Sequence, residues 1–151
     1  MHPELSKKLV MAQLNEALVD QGLFTDAVQL EEIGHPLFFI RFVNKAGVTR
    51  LLRFDATNYD YQAVAVEPVD PVTREALAQS NWMLKNGGQF PSHHMKGGGP
   101  FLCFQGTRDY YTHESHQPSV TGERWEKLRT DFKIPDLIRY IKSKFASGEW
   151  E

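Results

Sequence analysis

The chain has one cysteine in 151 residues, Cys103, so no disulfide can form within it. Nothing in it calls for an oxidising compartment, and a reduced thiol in the cytoplasm is the expectation. It also lacks an excess of positive charge: 17 Lys and Arg against 19 Asp and Glu leave a formal charge of -2. The basic residues are scattered among acids, so no phosphate-binding face is expected and nucleic acid is excluded as a partner. Long apolar runs are missing as well. No stretch nears the roughly 20 residues of a membrane span. The start, "MHPELSKKLVMAQLNEAL", is broken by Lys7, Lys8, Gln13, Asn15 and Glu16, so it does not resemble a signal peptide. Neither internal repeats nor low-complexity tracts occur. With 41% hydrophobic residues, this length suits one compact domain over 1–151.

The pattern of what is present predicts an α+β fold. Leu5, Leu9, Leu14, Ala17 and Leu18 fall at helical spacing over residues 3–21, and Gly22 stands where a left-handed C-terminal residue is expected. Four strand-like runs follow at 27–33, 37–44, 49–55 and 61–67. "NKAG" at 44–47 reads as a hairpin turn with Gly47 at positive φ. Short connections favour an antiparallel meander. Pro68 and Pro71 should end the sheet, since neither can donate to a central ladder. One short helix is expected within 73–84.

Residues 85–100 carry five glycines and two prolines and read as a long irregular segment of the functional kind. Thr121 should cap a helix carrying Trp125 and Leu128 inward. A last helix should open near Pro135, aligning Ile134, Leu137, Ile138, Ile141 and Phe145 on one stripe, and close at Gly148.

Chemistry concentrates in "GGGPFLCFQGTRDYYTHESHQP", residues 97–118, where Cys103 is followed by His113, Glu114 and His116. A cysteine among Phe101, Leu102 and Phe104 can be a small buried hydrophobe. The glycine-rich approach argues instead for a loop that a bulky substrate backbone can reach. Tyr110 and Tyr111 are expected to pack against the sheet.

The order of helix, four-strand meander, irregular segment with the cysteine, then C-terminal helices resembles the ubiquitin-conjugating (UBC) fold over most of the chain. In that family a His-Pro-Asn tripeptide lies about ten residues before the cysteine. His93 of "HHM" matches the histidine, while Met95 replaces the asparagine. "GGGPFLC" resembles the family's approach to its cysteine, displaced by one residue at Gly99. "YYTHESH", "ERW" and "IPDLIRYI" resemble the prokaryotic members, found in operons with a ubiquitin-like protein and its activating enzyme. The resemblance implies a bacterial pathway, with antiphage defence as its setting.

It further implies that Cys103 accepts a ubiquitin-like protein from an activating enzyme as a thioester and passes it to an amine of a target protein, with no cofactor. His113 or His116 would lower the thiol pKa as imidazolium or deprotonate the incoming amine, and Glu114 would orient either one. His93 would shape the loop. Met95 cannot supply the amide that supports the oxyanion in the family, so His113, His116 or a backbone N–H would have to.

Two other readings stay open. Cys103, His113, Glu114 and His116 form a possible zinc ligand set, with a three-residue offset between the histidines, and resemble a metal-binding family of the same operons. Against this, structural zinc sites usually pair cysteines, and "HESH" is not "HExxH". The other alternative is an adaptor of the same fold whose first helix, with Lys7 and Lys8 on its polar side, docks a partner.

Overall fold

The computed structural model describes residues 2–20, 22–78, 95–96, 99–100, 102, 105–113 and 124–148. An N-terminal helix, a four-stranded antiparallel sheet and C-terminal helices make an α+β architecture, as the patterning predicts.

Helix α1 runs Pro3–Val19. Proline suits its first turn, and His2 Nδ1 accepts a hydrogen bond from the Glu4 amide, 3.3 Å away. The buried face is Ser6, Val10, Gln13, Leu14 and Ala17, whereas Leu5 and Leu18 of the expected stripe are 58% and 45% exposed. The face is turned because its two polar members find partners. Ser6 Oγ lies 3.3 Å from His35 Nε2, and Gln13 Oε1 accepts from Tyr59 Oη at 2.8 Å and from the Ile134 amide at 3.0 Å. Burial with satisfied hydrogen bonds costs little. The helix stops without a left-handed glycine: Asp20 is extended, and its Oδ1 accepts from the Gly22 amide.

Strands β1 (Val28–Glu32), β2 (Leu37–Val43), β3 (Thr49–Asp55) and β4 (Ala65–Val69) pair in sequence order. Phe38, Ile40 and Phe42 alternate onto the helix-facing side of β2, where Phe38 opposes and stacks on Phe54 at 4.8 Å and Ile40 opposes Leu52. The β2–β3 turn is the expected one. Asn44 Oδ1 accepts from the Ala46 and Val48 amides, and Gly47 sits at φ 79°.

The fourth strand begins later than the pattern suggests and continues through Pro68 to Val69. It is an edge strand, so the missing proline donor disrupts no ladder. Beyond it no helix forms over residues 73–78. Asp70 Oδ1 takes the Val72 and Thr73 amides, Arg74 adopts φ 61°, and Ala76 bridges back to Val69. This turn covers a small second cluster, Phe39, Leu51 and Val69, with the Arg74 guanidinium 4.6 Å from the Phe39 ring centre. The remainder of that expected helix, 79–84, lies outside the described residues.

Helix α4, Ile134–Ser147, is reached through a short ladder between β5 (Met95–Lys96) and β6 (Gly99–Pro100), then α2 (Arg108–Thr112) and α3 (Trp125–Leu128). The ladder corrects the expectation of an irregular segment at 95–96 and 99–100; the rest of that segment lies outside the described residues. Helix α3 is preceded by Arg124 as its cap rather than by Thr121, which lies outside the described residues. Helix α4 is as predicted. Ile134, Leu137, Ile138, Ile141 and Phe145 are all buried and Gly148 ends it at φ 75°. Each such side chain contributes roughly 1.5–3 kcal/mol by leaving water. Phe145 stacks on Phe42 at 5.3 Å, which joins α4 to β2. Among the described residues no helix is long and apolar enough to cross a membrane.

Candidate functional site

The cysteine segment is held from both sides by the core. Leu102, directly before Cys103, is fully buried, and so is Thr107. Thr107 Oγ1 donates to the Leu102 carbonyl at 3.0 Å, closing a loop of which Cys103 is the second residue. A buried hydroxyl must find an acceptor, and here it finds the backbone carbonyl of Leu102.

Gly106 completes the closure. Its φ is 98°, and a Cβ at this position would lie 2.1 Å from Phe132 Cε1, so the glycine allows both the turn and the close approach of the ring. The Gly106 amide donates to Tyr111 Oη at 3.1 Å. Tyr111 packs on Trp125 at 5.9 Å and takes the edge of Tyr110 at 5.2 Å. Tyr111 also packs against the main core cluster that the sheet builds, in line with the expected inward packing, and Tyr110 lies at its ring.

Arg108 fastens the loop to the sheet. Its amide donates to the Val64 carbonyl at 2.8 Å beside a parallel bridge between Val64 and Thr107. The guanidinium donates through Nε to the Ala63 carbonyl at 3.1 Å, through Nη1 to Asp55 Oδ2 at 3.2 Å, and through Nη2 to the carbonyls of Asp55 and Thr57 at 3.1 and 2.8 Å. A planar fork can reach four acceptors at once, which an ammonium cannot. Partial burial pushes the Asp55 carboxyl upward. The Thr57 hydroxyl and amide at 2.6 and 2.8 Å, with the Arg108 charge, outweigh that and hold it below the ordinary carboxylate range.

The same β3–β4 loop is tied to α3, since Trp125 Nε1 donates to the Asp60 carbonyl at 2.8 Å and Arg129 pairs with the Asp60 carboxylate at 2.9 Å. The result is a frame in which Asp55 and Asp60 of β3 and its following loop hold Arg108 and Trp125.

Of the residues singled out from sequence, His113 is described. It is half-buried at the C-terminal cap of α2, its amide donating to the Asp109 carbonyl at 3.0 Å. Cys103, Glu114, His116 and His93 lie outside the described residues. His113 is thus the one described member of the possible zinc set, and among the described residues no three His, Cys, Asp or Glu side chains are grouped to hold a metal.

Sequence reasoning missed Arg108, Asp55, Thr107 and Gly106. Only the last two carried a signal, as a Gly-Thr pair three residues after the cysteine. Arg108 and Asp55 are 53 residues apart and nothing local links them. No protein-family model matches the chain, and no curated protein matches it.

Proposed function

We propose that this protein is a ubiquitin-conjugating-like transferase. In this reading the Cys103 thiolate attacks the thioester carbonyl of a ubiquitin-like protein carried by an activating enzyme, whose own thiolate leaves. A target amine then attacks the new thioester, and Cys103 departs as the thiolate. His113 or His116 takes the amine proton, Glu114 orients the histidine, and His93 shapes the approach to the loop. Partners are the modifier, the activating enzyme and the target.

The observation that supports this reading best is the anchoring of the described residues on either side of the cysteine in sequence. After a helix and a four-strand antiparallel meander, Leu102 is buried and bonded to Thr107, and Arg108 is tied to the sheet. Transfer between two proteins needs a nucleophile on a rigid scaffold, and anchored residues at 102 and 107 supply a scaffold on both sides of position 103 in sequence.

The test is incubation with a cognate activating enzyme, its ubiquitin-like protein and ATP. A thiol-sensitive adduct on Cys103 is expected, and Cys103→Ser should turn it into a reductant-resistant oxyester. Stoichiometric zinc in the purified protein, lost on Cys103→Ala, would replace this reading with the metal-binding one. Partner binding that survives Cys103→Ala, with no adduct on the native protein, would replace it with the adaptor.

A further inference from the structure

Helix α1 leaves a row of side chains on the side away from the core. Leu5, Ala12 and Val19 recur at intervals of seven, so they lie in one file along the helix, and all three are exposed, Leu5 by 58% and Val19 by 78%. Lys8 and Glu16, also exposed, flank the file within the same arc. Two large exposed apolar residues at the ends of one file, with a small residue and charges of both signs between them, offer a contact surface.

The arrangement is symmetric about Ala12. Leu5 and Val19 each stand seven residues from it, and Lys8 and Glu16 each stand four. From this we infer that α1 pairs antiparallel with α1 of a second copy of the chain, about a two-fold axis through Ala12. Leu5 then meets the partner's Val19, and Lys8 meets the partner's Glu16, each contact occurring twice. Alanine at the axis lets the helices approach closely, and the antiparallel arrangement sets each helix dipole favourably against the other. A parallel pairing would instead set Lys8 beside Lys8 and Glu16 beside Glu16, so charge selects the antiparallel one. Outside the file, Glu4 would approach the partner's Asp20, but Asp20 is already paired with Arg139 at 2.7 Å. The surface does not depend on Cys103 or on the transfer reading above.

One helix pair buries less than the roughly 1,200 Å² of a standard interface, so the dimer should be weak. Sedimentation equilibrium of the full chain should show a mass rising from monomer toward dimer with concentration. Lys8→Glu alone and Glu16→Lys alone should each weaken association by about tenfold or more, because each creates two like-charge contacts. Carrying both reversals in one chain should restore it. A mixture of the two single variants should form a heterodimer, since the Lys8→Glu chain then presents only acids and the Glu16→Lys chain only bases. All these positions are exposed, and circular dichroism should confirm an unchanged fold. A native protein that stays monomeric at every concentration, single reversals without effect, or a mixture that fails to associate would each overturn the inference.

Discussion

The Thr107 hydroxyl donates to the Leu102 carbonyl at 3.0 Å, and both residues are completely buried. This one contact spans the cysteine and converts a stretch of chain into a closed loop. Thr107→Val keeps the shape and removes the donor, leaving a buried carbonyl short of a partner. The expected cost is about 1–3 kcal/mol in urea unfolding. Amide hydrogen exchange over 105–108 should accelerate, whereas exchange in the middle of β2 should follow only the global change.

Gly106→Ala should be more damaging. An alanine must accept φ 98° and its methyl must displace the Phe132 ring, for a combined cost of roughly 2–5 kcal/mol. Adding Phe132→Leu should relieve the collision but not the backbone strain, so recovery of the melting temperature should be partial. Full recovery would show that sterics alone were at issue.

Asp55 gives the frame a pH dependence. Its carboxyl is depressed in the folded protein, so its contribution to stability is present above the unfolded value of about 3.9 and is lost as pH falls through the lower folded value. Asp55→Asn should therefore lower the urea midpoint at pH 7, and the difference from the native protein should shrink below about pH 4. Asp20 and Asp70 are depressed too but occur in both proteins, so they cancel in the comparison.

Arg108→Lys retains the charge and loses the fork. The four acceptors now shared by one guanidinium cannot all be reached by an ammonium, and a loss of about 1–3 kcal/mol is expected from the orphaned carbonyls. If the Cys103 loop depends on this brace, thioester formation should slow in Arg108→Lys at a temperature where circular dichroism shows it fully folded.

Gln13 joins three parts of the core, accepting from Tyr59 and from the first residue of α4. Tyr59→Phe removes one of these bonds while leaving the ring in place, and should cost about 1 kcal/mol. Gln13→Leu strands both donors and should cost more, roughly 2–4 kcal/mol. In the double variant the penalties should fall short of their sum, because Tyr59→Phe removes one of the donors that Gln13→Leu orphans.

What could be read from sequence was what neighbouring residues decide among themselves. The stripe of α4, its end at Gly148, the Asn44–Gly47 turn and the order of the four strands all follow from periodicity and from glycine or asparagine at a turn. The same reasoning places Leu14 and Ala17 correctly on the buried face of α1 but also counts Leu5 and Leu18 there and leaves out Ser6, Val10 and Gln13. The partners of Ser6 and Gln13, which are His35, Tyr59 and Ile134, lie 29 to 121 residues away. Pro68 reads as the end of the sheet from sequence, since nothing local says that its strand lies at an edge.

Composition and local pattern thus determined that the chain builds a helix, an antiparallel sheet and C-terminal helices, with its sole thiol entering from a glycine-rich segment. Tertiary structure alone decided which polar groups go inside and what grips the ends of that thiol's loop. The physical reason is range. Hydrophobic period and turn geometry act over a few residues, whereas a buried hydroxyl, amide or guanidinium is tolerable only beside an acceptor that folding brings to it from the other end of the chain.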